Sequence, residues 1–277
     1  MKKLILPLIL LNMLGGLGSG IMIWLSGGNP IWIGAFLATL PLPFLLIVLT
    51  NALGLARTSA RLPIIQLLSL GGLGLVIWSF SGTEGASKSV ALGLAVFGAL
   101  FVQWFVWVFS SYGREKSGVI IKGKVLPELP LNRLDGSKVS SLEFVGSKTL
   151  IVFFRANWCP FCMNQLKEVL ARAERITKSG TKVKYISNQG IEHSKKLAES
   201  LNLPLNYEIL QDDELRAAKI LGIEDIGGSP AGMSAYPADT IMATVIALDE
   251  EGKVLFGDET DNYRVRPLPD TFLHVFE

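Results

Sequence analysis

"IVFFRANWCPFCMNQ", residues 151–165, holds both cysteines of a 277-residue chain, Cys159 and Cys162, three positions apart behind an apolar run. The run itself, "TLIVFF" at 149–154, is almost wholly β-branched and aromatic, as a strand buried on both faces requires. Past the cysteines, Leu166, Val169, Leu170, Ala173 and Ile176 recur at helical spacing. The two thiols therefore stand at a strand-to-helix turn, with Cys159 at the expected helix cap.

That placement suits thiol chemistry. The thiolate, not the thiol, attacks a disulfide or a peroxide, and a helix N-terminus favours the anion through its unpaired amides and dipole. Cys159 is the expected nucleophile, and Cys162, one turn along, can resolve a mixed disulfide intramolecularly. Pro160 in the first turn sacrifices no helix hydrogen bond. With Phe161 it sets how readily the pair is oxidised. Trp158 is expected to pack beside the cysteines and shield them. Arg155 has two readings: it favours the thiolate or orients a substrate, or it is an exposed arginine at a strand end. A zinc site needs four ligands, and the chain offers two histidines besides the cysteines, His193 and His274. His193 is expected to face solvent and His274 to be structural. Met163 follows Cys162, so the CxxCH of covalent haem attachment is absent. The expected centre is a redox-active cysteine pair with no cofactor and no metal.

Working outward, strands and helices alternate. "KVKYIS" (182–187) and "NYEILQ" (206–211) read as strands, Ile191–Leu201 and Asp212–Leu221 as helices. "IMATVIALDEEGKVLF" (241–256) reads as two strands about a Gly-containing turn, and "RPLPDTFLHVF" (266–276) closes as a short helix. Before the cysteines, "LPLNRLDGSKVSSLEFVGSK" (129–148) suggests a hairpin or short strands. The pattern implies an α/β domain with a mixed sheet flanked by helices over residues 125–277.

The front of the chain has a different solvent. Charged residues are 18% of the whole and nearly absent before Arg114. Residues 1–113 contain four uncharged segments, about 4–25, 31–56, 62–81 and 89–112, each long enough to cross a bilayer core of roughly 20 helical residues. Trp24, Trp32, Trp78, Trp104 and Trp107 lie mostly toward segment ends, as interfacial indoles do, and Pro41 and Pro43 should kink the second segment. Residues 114–124 read as a linker. Lys2 and Lys3 ahead of an apolar run also fit a secretory leader, so the first segment has two readings. With four spans, Lys2, Lys3, Arg57, Arg61, Arg114, Lys116, Lys122 and Lys124 share one side and Lys88 takes the other. The excess of positive residues puts both termini, and the redox domain, on the cytoplasmic side of an integral, multi-pass protein. The spans lack cysteine, histidine and any ionisable group, which excludes a thiol relay, a haem pair and the usual proton pathway. A net charge of +2 gives no argument for a nucleic-acid partner.

The segment "LNRLDGSKVSSLEFVGSKTLIVFFRANWCPFC" (131–162), with its Asp-Gly, Leu, Gly and Lys landmarks before the strand and cysteines, resembles the redoxin branch of the thioredoxin superfamily, AhpC/TSA or peroxiredoxin-like. The resemblance covers roughly residues 118–277. It implies a thioredoxin-like fold and a thiol–disulfide oxidoreductase or thiol-dependent peroxidase. Its implied partners are a disulfide or peroxide substrate and a reductant such as a thioredoxin or glutathione system. A peroxiredoxin site reads Pro-x-x-x-Thr-x-x-Cys; with Cys162 as its cysteine, those places hold Arg155 and Cys159. The fold also implies a cis-proline facing the cysteines, for which Pro237 is the nearest candidate, with Met242 and Ala243 as the alternative occupants. Tyr263, Arg264 and Arg266 are similar to a C-terminal stretch of redoxin relatives, and are otherwise read as surface residues. Two function classes follow: a membrane-anchored enzyme, and a membrane scaffold whose redox domain handles a partner's thiols.

Overall fold

The computed structural model describes residues 4–85 and 87–277. They form two compact units divided between Ser110 and Ser111. Lys2 and Lys3, which contribute to the orientation argument, lie outside the described residues.

The first unit is helical: α1 (Ile5–Leu25), α2 (Pro30–Ala52), α3 (Pro63–Ser79) and α4 (Ser87–Phe109). α1, α2 and α4 are long and apolar enough to cross a membrane, while α3, at 17 residues, is apolar but shorter. α2 packs against the other three helices. Glycine sets the spacing. A Cβ on Gly34 would strike the Gly72 carbonyl and Val76, and one on Gly98 would strike the Ala38 carbonyl. Small residues that let helix backbones touch are the usual packing device where lipid removes the hydrophobic drive between helices. As expected from Pro41 and Pro43, α2 is irregular there: the α-helix ends at Thr39, and Phe44–Leu49 is a π-helix. Trp24, Trp78 and Trp107 are exposed near helix ends, whereas Trp32 is buried within the bundle.

The second unit holds a seven-stranded mixed sheet. Its elements are β1 (Pro130–Asn132), β2 (Lys138–Ser140), β3 (Thr149–Phe153), α5 (Pro160–Leu170), α6 (Ala173–Lys178), β4 (Lys182–Ser187), α7 (Ile191–Leu201), β5 (Tyr207–Gln211) and α8 (Arg216–Leu221). There follow β6 (Glu224–Asp225), β7 (Thr240–Ile241), β8 (Thr244–Leu248), β9 (Val254–Asp258) and α9 (Pro269–Leu273). The sheet order is β2-β1-β5-β4-β3-β8-β9, with β6 and β7 forming a separate ribbon. This is the expected thioredoxin-like architecture. β3 lies between parallel β4 and antiparallel β8, with Phe153 level with Ile186 and Thr244, and all five of its residues are buried. Two neighbours and two covered faces explain why its sequence does not alternate.

Three local differences from expectation have physical causes. The helix after the cysteines stops at Leu170 and restarts at Ala173, yet Leu166, Val169 and Ile176 still reach the core. α8 begins at Arg216 rather than Asp212, because Glu214 and Leu215 take left-handed backbone angles. The Asp212 carboxylate then caps the helix, accepting from the amides of Ala217 and Ala218 at 2.8 Å each. Residues 114–124, read as a linker, pack along the outer edge of the sheet. The Gly123 amide donates to the Val254 carbonyl at 2.8 Å and the Val254 amide to the Lys124 carbonyl at 2.9 Å.

The side chain of Phe153 is fully buried in the core that β3 shares with Ile186, Leu210 and Ile246. Phe153→Ala should cost about 3–5 kcal/mol of stability, read as a lower denaturation midpoint of the full chain in detergent.

Candidate active site

β3 ends at Phe153, and its continuation is pinned to β4. The Phe154 amide donates to the Ile186 carbonyl at 2.9 Å, the Ser187 hydroxyl donates to the Arg155 carbonyl at 3.0 Å, and the Asn157 amide donates to the Gln189 side chain at 2.7 Å. These bonds aim the chain so that Cys159 falls at the N-cap of α5, with Pro160 as its first helical residue. Both cysteines are free thiols, and both are buried, Cys162 completely and Cys159 to 2% exposure.

Two guanidiniums converge on the sulfurs. Arg266 comes from the segment before α9 and places Nη2 3.6 Å from the Cys162 sulfur. The same guanidinium donates to the Gln165 side chain at 3.3 Å and to the Tyr263 carbonyl at 2.9 Å. Arg155 is anchored from the other side. It donates to the Gly228 carbonyl, lies 3.5 Å from the Asp225 carboxylate, and stacks over the rings of Trp158 (4.9 Å) and Tyr263 (5.4 Å). Tyr263 in turn meets the ring of Phe161 edge-on at 6.0 Å. Gly228 has no room for a side chain, since a Cβ would strike Asp225 and Thr240.

These charges divide the work between the thiols. Burial pushes both sulfurs toward the neutral form. At Cys162 that push is outweighed by the hydrogen bond from Cys159, the Arg266 charge, a backbone hydrogen bond from Arg155 and the Arg155 charge, and its pKa falls to about 5. Cys159 goes the other way. Donating its S–H to Cys162, together with burial and the adjoining thiolate, holds its pKa well above the ordinary thiol value. The helix start and the Arg266 charge favour an anion at either sulfur; the hydrogen bond from Cys159 to Cys162 and the Arg266 guanidinium within reach of it lower Cys162 most.

The other expected residues fall as follows. Arg155 is buried beside the thiols, not exposed at a strand end. Trp158 packs under its guanidinium. Arg264 and Arg266, read as surface charge, are buried. Pro237 is exposed in the loop between β6 and β7, and no cis peptide bond occurs among the described residues. Met242 and Ala243 immediately precede β8, whose first residue, Thr244, pairs with Phe153 at the end of β3. His193 is half-buried rather than solvent-facing: it stacks on Tyr236 at 4.1 Å and bonds the Ala235 carbonyl. Tyr236 donates to Asn157 at 2.5 Å, so the 226–239 loop is tied down two residues before Cys159. His274 bonds the Asp270 carbonyl within the last helix. Gln165 went unnoticed in the sequence, although its spacing of three from Cys162 puts both on one helix face.

Residues 122–256 match the model of the AhpC/TSA family. They are an AhpC/TSA-family domain. Among curated relatives, the chloroplastic peroxiredoxin Q of Gentiana triflora is 30% identical over 121 residues, 43% of this chain and 55% of the relative. That of Triticum aestivum is 29% identical over 123 residues, 44% of this chain and 56% of the relative. The chain thus spans little more than half the length of these relatives. Reduced Prx3 from Vibrio vulnificus aligns at 19% identity with a TM-score of 0.49, over 56% of this chain and 97% of that one. The match ends before Arg266, so the cation nearest Cys162 lies outside the part of the AhpC/TSA domain that the family model covers.

Arg266→Ala should raise the Cys162 pKa by at least about one unit, since a lost ion partner within hydrogen-bonding reach is worth roughly one to three. Alkylation of Cys162 followed against pH measures it. The wild-type rate should hold down to about pH 6 and fall through pH 5, and the variant's profile should shift to higher pH.

Proposed function

We propose that the protein is a membrane-anchored, thiol-dependent peroxidase in which Cys162 is the attacking thiolate and Cys159 its resolving partner. The observation that carries this reading is the Arg266 guanidinium 3.6 Å from the Cys162 sulfur. The Cys162 thiolate attacks the terminal oxygen of a hydroperoxide. The O–O bond breaks, an S–O bond forms, and the leaving alkoxide or hydroxide takes a proton to depart as alcohol or water. Arg266 and Arg155 stabilise the charge that moves onto the leaving oxygen. The sulfur is now a sulfenic acid. The Cys159 thiol attacks it, water leaves, and a Cys159–Cys162 disulfide remains. A thioredoxin- or glutathione-type thiol reductant returns the pair to the dithiol. Complete burial of Cys162 favours a small oxidant over a bulky disulfide.

A second reading, thiol–disulfide exchange with Cys159 as nucleophile, draws on its N-cap position. Single mutants separate the two. Under the peroxidase reading, Cys159→Ser accumulates a trappable sulfenate at Cys162 on exposure to peroxide. Cys162→Ser then reacts slowly with both peroxide and disulfide, by mass spectrometry. A disulfide adduct that builds up at Cys159 in Cys162→Ser, with no sulfenate at Cys162 in Cys159→Ser, overturns the peroxidase assignment.

Membrane anchoring draws on three helices with the length and apolarity to span a bilayer. The cytoplasmic side is assigned from the distribution of Lys and Arg. A reporter fused after Glu277 should be active only in its cytoplasmic form; an externally active reporter would reverse the orientation.

A further inference from the structure

The chain between β3 and α5 belongs to neither a strand nor a helix, so its backbone polar groups need partners from elsewhere. Within it, residues 156–159 form a tight turn, closed by the Cys159 amide donating to the Ala156 carbonyl at 3.1 Å. Asn157, at the second position of that turn, is gripped twice. Its amide donates to the Gln189 side-chain oxygen at 2.7 Å, and its own side-chain oxygen accepts from the Tyr236 hydroxyl at 2.5 Å. Gln189 lies just past the end of β4 and is itself fixed. Its Nε2 donates to the Ser194 hydroxyl of α7 at 2.9 Å, and the same hydroxyl accepts from the side chain of Gln211 at the end of β5. The Gln189 backbone amide donates to the Ser187 hydroxyl at 3.2 Å, which in turn donates to the Arg155 carbonyl at 3.0 Å. Ser187, Gln189, Ser194 and Gln211 are all buried. An apolar residue at 189 would fill the same space; a carboxamide joined to two elements and to the cysteine turn does more than fill it.

We infer that Gln189 is a positioning residue of the thiol site: its side-chain oxygen, oriented by Ser194, holds the 156–159 turn so that the Cys159 sulfur stays in line with Cys162. The inference deepens the reading of Cys162 as the attacking thiolate and Cys159 as its resolving partner, and rests on it. The two sulfurs are held differently. Cys162 is inside α5, while Cys159 is its N-cap: the helix holds Cys159 on one side, through the Met163 amide donating to the Cys159 carbonyl at 3.1 Å, and the turn holds it on the other. Releasing Asn157 therefore loosens Cys159 and leaves Cys162 in place. The step that suffers is closure. There the Cys159 sulfur attacks the Cys162 sulfenic acid, the S–S bond forms, the S–O bond breaks, and the oxygen leaves as water with the thiol's proton. A reaction of this intramolecular kind depends on alignment, and a misplacement of about 1 Å costs roughly a hundredfold.

The test uses the full chain in lipid nanodiscs, reduced, mixed rapidly with hydrogen peroxide and quenched into dimedone, with site-resolved mass spectrometry as readout. Attack is followed as loss of the free Cys162 thiol, and closure as conversion of the Cys162 sulfenate to the Cys159–Cys162 disulfide. Gln189→Leu keeps the volume and removes the acceptor; closure should slow about tenfold, with attack within about twofold of wild type. Ser194→Ala touches neither the turn nor the sulfurs but frees the Gln189 carboxamide, and should slow closure about threefold; it decides the matter if Gln189→Leu does not fold. Closure at the wild-type rate, with a sulfenate still trapped at Cys162 in Cys159→Ser, overturns the role of Gln189 alone. Attack and closure lost by the same factor mark general damage to the site and overturn it equally. Absence of any sulfenate at Cys162 in Cys159→Ser overturns the peroxidase reading and this inference with it.

Discussion

Two guanidiniums buried beside two sulfurs are the constraint around which the second unit is organised. A charge taken out of water must find compensation, and each arginine here is compensated by a different part of the chain. Arg155 leans on Asp225 and the Gly228 carbonyl, which obliges the β6–β7 ribbon to return over the cysteine turn and leaves no room for a side chain at Gly228. Arg266 uses the Tyr263 carbonyl, Gln165 and the Cys162 sulfur, which ties the segment before α9 to the first turn of α5. The Cys162 sulfur is thus a structural partner of the Arg266 guanidinium, whichever role it takes in the chemistry.

The arrangement also explains why the shared motif and the charge distribution point to different cysteines. A helix N-terminus acts over its first turn, and both sulfurs fall inside that turn. Discrimination between them involves the hydrogen bond from Cys159 to Cys162 together with a side chain that arrives from elsewhere. Arg266 lies more than a hundred positions along the chain from Cys162, and its approach depends on the turn at 261–266, where the Arg264 amide bonds the Asn262 side chain at 3.0 Å.

Legibility in the sequence followed the range of the interactions. The buried strand β3, the helix start at Cys159–Pro160, strands β4 and β5 and helix α7 were readable, because periodicity and capping are local. The four apolar helices were readable for the same reason. The β6–β7 ribbon was not, since two-residue strands carry no period and the ribbon exists to meet Arg155. The burial of Arg264 and Arg266 was hidden because arginine is normally exposed, and only tertiary structure reveals that these two are covered. Residues 111–117 were divided between the end of the apolar region and the linker, because their polar side chains bond to partners about 130 to 150 positions away, Thr244 and Asp261 among them.

Oxidation changes the electrostatic balance of this interior. In the dithiol state one sulfur carries a negative charge that offsets Arg266; the disulfide is neutral and leaves that guanidinium facing an uncharged bond. The disulfide is therefore the electrostatically poorer form, and the midpoint of the couple moves to more positive potential. Each unit by which the thiolate pKa lies below its ordinary value corresponds to about 1.4 kcal/mol, or about 30 mV for a two-electron couple. Under the peroxidase reading proposed above, such a site favours its dithiol form, and burial of both sulfurs makes access a constraint on oxidant and reductant alike.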